Sequence, residues 1–237
     1  MKREDGREAQ ELRPIRIEKS FLKNAHGSAL VTWGSTRVLC TAMFSAGVPL
    51  FMENAERGWL TAEYAMLPAS TPQRKPRENK RPDGRSTEIG RLIGRVLRCV
   101  CDLEAIPGIT VTVDCDVIDA DGGTRTAGIT GAYVALCECA ERIKAAGLLK
   151  KPLIKDGVAA VSCGIVDGEP RLDLNFAEDS RAEADLNMVL SHSGGIIEVQ
   201  GTGEKRPISR AEFAVLMDYA ALGTEEIRKI QRAVLGL

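Results

Sequence analysis

Asp121-Gly122-Gly123-Thr124-Arg125-Thr126-Ala127-Gly128-Ile129-Thr130-Gly131-Ala132 decides how this chain is read. Before it runs Thr110-Val111-Thr112-Val113-Asp114-Cys115-Asp116-Val117, whose alternation predicts a strand. After it an apolar run continues to Gly147 and predicts a helix. A glycine turn therefore carries the chain from strand to helix, with Thr and Arg at the junction. A helix start offers unpaired N–H groups and a partial positive charge. Glycines let backbone approach a ligand, and Arg adds a forked donor for phosphate oxygens. The stretch reads as a phosphate seat without a Walker lysine. It reads equally as a plain strand–turn–helix in which Thr124 caps the helix and Arg125 is solvated, and the local pattern leaves both open.

Outward from this stretch, the 237 residues and 44% hydrophobic content supply one sizeable core or two small ones. No apolar run is long enough to cross a membrane, and the charged start Met1-Lys2-Arg3-Glu4-Asp5-Gly6-Arg7 lacks a signal-peptide pattern. The expectation is a soluble cytoplasmic protein. Seven cysteines (40, 99, 101, 115, 137, 139, 163) lie mostly inside apolar patterns and form no CxxC pair, which favours buried reduced thiols. A net charge of −1 argues against a simple basic nucleic-acid module. The local exception is Arg74-Lys75-Pro76-Arg77-Glu78-Asn79-Lys80-Arg81-Pro82-Asp83-Gly84-Arg85. Without an apolar anchor it reads as an exposed, mobile loop at about 69–84, and on its own as a solvated linker.

Strands are expected at Ala29–Trp33, Arg37–Phe44, Trp59–Leu67, Gly157–Val166, Arg171–Phe176, Asp185–Ser191 and Ile196–Gln200. Helices are expected after a Ser86 or Thr87 cap, after Thr124, from the Ser209/Glu212 capping box to Gly223, and from Thr224 onward. Strands in runs, with helices between and after them, predict an α+β fold of helices packed on sheets, in one unit spanning 1–237. Gly84-Arg85-Ser86 and Gly123-Thr124-Arg125 each open a helix with an arginine, and two such starts can hold one oxyanion. Asp179 and Asp185 flank the polar turn Glu178-Asp179-Ser180-Arg181-Ala182-Glu183-Ala184-Asp185. A carboxylate pair can hold Mg²⁺ together with waters and phosphate oxygens, although alone the turn reads as surface charge.

These segments resemble the ribonuclease PH family of phosphorolytic 3′→5′ exoribonucleases, related to polynucleotide phosphorylase and exosome ring subunits. The blocks that carry the resemblance are Arg3-x-Asp5-Gly6-Arg7 with Glu11-Leu12-Arg13-Pro14, Glu63-Tyr64-Ala65-Met66-Leu67-Pro68, and Gly84-Arg85-Ser86-x-Glu88-Ile89-x-Arg91-Leu92-Ile93-Gly94-Arg95. It continues through Asp121–Thr126, Leu172-Asp173-Leu174 with Glu178-Asp179-Ser180, Asp185-x-Asn187, and Ile196-Ile197-Glu198-Val199-Gln200-Gly201-Thr202. Each block is modestly specific; their order and spacing together are highly specific.

The resemblance implies a two-layer α+β unit like the second domain of ribosomal protein S5, assembled as a hexameric ring from a trimer of dimers. It implies phosphate binding by Arg85, Gly123, Thr124 and Arg125. It implies catalytic, metal-associated roles for Asp179 and Asp185 with Mg²⁺ or Mn²⁺, inorganic phosphate being the co-substrate. It places RNA contacts at Arg74 and Arg77, with Lys80 beside them in the basic loop, and makes precursor tRNA 3′ ends the expected RNA, ribosomal RNA the other. Whether Asp185 also handles a proton stays open. Glu4, Ala69, Asn175-Phe176, Gly128 and His192 depart from the family pattern. A non-catalytic RNA-binding ring subunit of an exosome-like assembly is the alternative, and it would tend to lose the aspartates or the phosphate arginines. A small-molecule kinase of similar layout would need a glycine-rich ATP loop, and no GxxxxGK[ST] occurs.

Overall fold

A computed structural model describes residues 3–77 and 83–237 of the chain. Its strands build two sheets. The first contains β1 (Ile15–Lys19), β2 (Gly27–Trp33), β3 (Thr36–Ala46), β4 (Trp59–Met66) and β5 (Ile109–Asp119) in the order β1-β2-β3-β5-β4. Among the described residues only the β4–β5 pairing of this sheet is parallel; its crossover is the segment that includes α1 (Gly84–Cys99). The second sheet is antiparallel, ordered β7 (Glu169–Leu172), β6 (Val158–Val166), β8 (Ala184–Ser191) and β9 (Ile196–Thr202).

The helix predicted after Thr124 is α2 (Thr124–Ala145), and it packs against β2 and β3 of the first sheet and β6 of the second. A helix apolar all round must be buried, and from Thr124 to Leu136 only Arg125 escapes burial in α2. Close approach is bought with glycine: a Cβ on Gly131 would lie 2.5 Å from Val31 Cγ2 and 2.8 Å from Cys40 Sγ. Residues of both sheets and of α1, α2 and the C-terminal helix α4 (Arg210–Leu235) contribute to one core cluster. The fold is the α+β arrangement expected.

Five local expectations are corrected. Helix α1 starts earlier than a Ser86 or Thr87 cap allows, because Asp83 Oδ1 accepts from the Ser86 N–H at 2.6 Å. The strand expected over Arg171–Phe176 ends at Leu172: Asp173 turns to a left-handed φ of 55°, and Phe176–Asp179 is a one-turn helix, α3. The polar turn is therefore bounded by the end of α3 and the start of β8. No break occurs at Gly223. α4 is one helix of 26 residues, in which Thr224 Oγ1 donates to the Ala220 carbonyl at 2.8 Å and the missing side chain of Gly223 makes room for Leu172. Strand β1 was missed, since Ile15-Arg16-Ile17-Glu18-Lys19 is short and only Ile17 is buried. The cysteines are free thiols, mostly buried as expected, but Cys99 is exposed. No helix among the described residues is long and apolar enough to cross a membrane.

Candidate active site

A polar cavity of about 560 Å³ lies between the starts of α1 and α2, the end of α3 and the β8–β9 pair. Arg85, Gly123, Thr124, Arg125, Asp179 and Asp185 all line it, so the fold brings together six residues that the chain separates by up to 100 positions.

The turn that enters α2 needs its glycines. Gly122 and Gly123 have φ of +74° and +66°, and a Cβ on Gly122 would lie 2.5 Å from the Leu174 carbonyl oxygen. Gly123 holds the cap position, and no side chain caps this helix start among the described residues. Thr124 does not cap the helix with its hydroxyl: that group shares a hydrogen bond of 2.8 Å with the Tyr64 hydroxyl. Tyr64 sits on β4 with its phenol pushed above the ordinary range by burial. The bond therefore pins the first residue of α2 to the first sheet.

Arg125 is not a solvated side chain. Its Nη1 donates to Gln200 Oε1 at 2.9 Å and lies 3.8 Å from Glu88 Oε1, while Gln200 Nε2 donates to Glu88 at 3.1 Å. Gln200 comes from edge strand β9, and Glu88 lies one turn after Arg85 on α1. Both arginines are thus carried on helix starts, and Arg125 is braced from the opposite sheet.

The acidic wall comes from strand register. Asp185 and Asn187 alternate onto one face of β8; their cross-strand partners are Thr202 and Gln200 on β9, and Ser162 on β6 faces Asn187. All five line the cavity. Asp179 closes α3, whose capping box is made by Asn175 and Glu178. The Asn175 departure from the family pattern thus retains a capping side chain.

Burial raises the Asp185 carboxyl above the usual range, and the charges of Asp179 and Glu204 add to it while Arg125 opposes. Burial likewise raises Asp179, against the pull of Arg85 and Arg125. By accessible surface Asp179 is nonetheless exposed to solvent. Asp179 is therefore within electrostatic reach of both arginines, and Asp185 within reach of Asp179 and Arg125.

The donor set suits Mg²⁺. The candidate ligands are hard carboxylate oxygens, and among the described residues no group of three or more His, Cys, Asp or Glu forms a closed cage. A cation held by two carboxylates keeps positions for water and phosphate oxygens.

Arg74 and Arg77 are exposed and do not line this cavity. Their segment is anchored at its base, where Lys75 N donates to the Pro68 carbonyl at 2.9 Å and Ala120 N to the Ser70 carbonyl at 2.8 Å. Lys80 lies outside the described residues. His26 Nδ1 accepts from the Phe44 N–H at 3.0 Å, and His192 Nε2 lies 2.9 Å from Gln231 Oε1; neither lines the cavity. Sequence reasoning did not assign Tyr64, Ser162, Asn187, Gln200 or Glu204 to the site. Asn187 was recoverable from the alternation that follows Asp185, whereas Gln200 needed the pairing of β8 with β9.

Residues 11–140 match the family model described as 3′ exoribonuclease family, domain 1, and residues 156–221 match domain 2 of the same family. Solved structures share the fold. The chain is 24% identical to rice (Oryza sativa) Rrp46, with a TM-score of 0.80 over 98% of this chain and 100% of that one. It is 25% identical to a chain of the Archaeoglobus fulgidus exosome with RNA bound to the active site, with a TM-score of 0.84 over 96% and 92% of the two chains. An archaeal exosome core chain is 24% identical, with a TM-score of 0.76 over 99% and 91%. The common fold is that of the second domain of ribosomal protein S5. With both family models matched in order and together spanning most of its length, the chain belongs to the 3′ exoribonuclease family, the ribonuclease PH family that its motifs resemble.

Proposed function

We propose that this protein is a phosphate-dependent 3′→5′ exoribonuclease, a tRNA nucleotidyltransferase that trims precursor tRNA 3′ ends and releases nucleoside diphosphates. The observation that carries the reading is one cavity with Arg85, Thr124 and Arg125 on one side and Asp179 and Asp185 on the other. Inorganic phosphate, seated by the two arginines and the α2 start, attacks the last phosphodiester. The leaving group is the 3′ oxygen of the penultimate nucleotide, and the reverse reaction adds nucleotides from diphosphates.

Phosphoryl transfer of this kind depends on positioning and charge neutralisation more than on a strong base. Phosphate and phosphodiester are both anions, so their repulsion is the main obstacle to contact. Arg85, Arg125 and the N–H groups at the start of α2 offset it. The Gln200–Glu88 brace holds the Arg125 fork before substrate arrives, which reduces the ordering cost at the moment of reaction. Asp179 and Asp185 would hold Mg²⁺ or Mn²⁺, which supplies further charge neutralisation at the phosphate oxygens. Phosphate is nucleophilic near neutral pH, so neither histidine is needed. RNA as substrate is supported by the family and by the RNA-bound archaeal relative.

The test is incubation with a tRNA carrying extra 3′ nucleotides, with and without phosphate. Phosphate-dependent shortening with release of nucleoside diphosphates is expected. Monophosphates released in phosphate-free buffer would mean a hydrolase, and RNA binding without shortening would mean a non-catalytic ring subunit.

A further inference from the structure

The residues just described do not account for a group of buried ion pairs behind the cavity. Arg3, Arg7, Arg13 and Arg171 are all buried there with Asp173 and Glu178. A buried charge is expensive unless paired and hydrogen-bonded, so each of these contacts constrains geometry. Arg13 is the member that spans two elements of the cavity wall. On one side its Nε donates to Asp173 Oδ2 at 3.0 Å and its Nη2 to Asp173 Oδ1 at 2.6 Å, a two-pronged pairing with the carboxylate. On the other side its Nη1 donates to the Asp121 carbonyl and its Nη2 approaches the Gly122 carbonyl at 3.5 Å. Asp121 and Gly122 are the turn that presents Gly123, Thr124 and Arg125. Asp173 is the residue from which the chain turns into α3, ending at Asp179.

Other contacts make this junction stiff. The Asp173 carboxylate also accepts from the Arg13 backbone N–H at 2.7 Å and from Trp33 Nε1 at 2.9 Å. Asp173 N donates to the Ser162 carbonyl at 2.7 Å, and Asp121 Oδ1 accepts from Phe176 N at 3.2 Å. Next to Asp179, Glu178 accepts from Arg3 Nε at 2.8 Å and from Arg171 Nη1 at 3.0 Å. Two glycines leave room for the guanidinium and its stem: a Cβ on Gly34 would lie 2.7 Å from Arg13 Cδ, and one on Gly123 would lie 3.2 Å from Arg13 Nη2.

We propose that Arg13 is a positioning residue that locks the phosphate turn to the aspartate-bearing segment, fixing the distance between the two walls of the cavity. The role follows from guanidinium chemistry. A planar fork can hold a carboxylate and two carbonyls at once; an ammonium is a point charge and cannot reproduce that span. Arg13 makes no hydrogen bond to Arg125 or Asp179, so it positions them through the backbone it holds; its charge also pulls the Asp179 carboxyl downward, and a lysine would keep that pull. This inference rests on the reading of the cavity as a phosphorolytic site.

Two variants of the full chain test it. In Arg13→Lys the charge next to Asp173 is retained and the fork is lost. Turnover should fall about 10–10²-fold, the cost of a displacement near 1 Å between reacting groups. The phosphate KM should stay within about threefold, because each wall remains intact in itself. Trp33→Phe removes one donor from the same carboxylate but leaves the Arg13 fork and its hold on the turn in place, so its loss of turnover should be much smaller than that of Arg13→Lys even if the melting temperature falls. A second readout does not need activity. In Arg13→Lys, amide hydrogen exchange should rise together in 121–127 and 176–182, since one contact restrains both.

Wild-type turnover in Arg13→Lys, equal losses in both variants, or faster exchange in only one segment would overturn the proposal. If the wild-type protein shows no phosphate-dependent shortening, the functional reading fails by itself, and the exchange result still decides whether Arg13 joins the two segments.

Discussion

Replacing Asp185 by Asn should slow the enzyme and stabilise the fold. The substitution keeps the shape of the side chain and removes its charge at every pH. Asp185 sits half-buried on β8, and burial, Asp179 and Glu204 all raise its carboxyl above the usual range. For an acid whose folded-state pKa is raised, the unfolded chain loses its proton first as pH climbs. Stability is then given up between the ordinary carboxylate value, near pH 4, and the raised one, and the deficit persists at neutral pH.

Asn removes that deficit. Relief of this kind commonly contributes about 0.5–2 kcal/mol. For a chain of this size each kcal/mol corresponds to roughly 2–4 °C in melting temperature. On the other side of the balance, losing one preorganised charge contact in the transition state costs about 10²–10³ in turnover, equivalent to about 2.7–4 kcal/mol.

The assay pairs thermal melts of wild type and Asp185→Asn, at pH 7 and near pH 4, with phosphate-dependent RNA shortening at pH 7. The gain in melting temperature should be present at pH 7 and shrink toward pH 4, as the wild-type carboxyl regains its proton first in the folded and then in the unfolded state. A variant that is destabilised at pH 7 would refute the electrostatic reasoning and make Asp185 a structural residue. A stabilised variant with near-normal turnover would refute its catalytic role.

Arg125→Ala should cost about 10²–10³ in turnover and weaken phosphate saturation, because the side chain held by Gln200 and Glu88 points a charge into the cavity; unchanged phosphate kinetics would contradict this. Replacing both Arg74 and Arg77 by Ala should weaken binding of a full tRNA precursor while sparing polymerisation onto a very short oligonucleotide, since neither residue lines the cavity. Each lost phosphate contact should also flatten the log–log salt dependence of single-strand binding by about 0.7, and equal loss on both substrates would place the loop in the catalytic site. Light scattering should give a homo-hexamer, in which several basic loops raise the effective concentration around one RNA; a fully active monomer would refute that.

Local patterning carried much of this protein. Alternation at Thr110–Val117 and the glycine turn before Thr124 report strand and helix because period and backbone freedom are properties of neighbouring residues. The same holds for the capping box at Ser209 and Glu212. The spaced motif blocks also pointed to six of the residues that line the cavity.

What failed locally depended on distant partners. The stop expected at Gly223 did not occur because the glycine there serves packing against Leu172, and the strand expected to Phe176 ended where Asp173 turns away to meet Arg13 and Trp33. Read alone, Arg125 was as consistent with solvent as with phosphate. Only the pairing of β8 with β9 brings Gln200 beside it, and only the fold brings the Asp179 and Asp185 carboxyls into reach of each other and of Arg125, with Arg85 in reach of Asp179. Side-chain type and spacing determine what chemistry is on offer. Distances between groups far apart in the chain are set by strand register, helix packing and buried ion pairs, and those exist only once the whole core has closed.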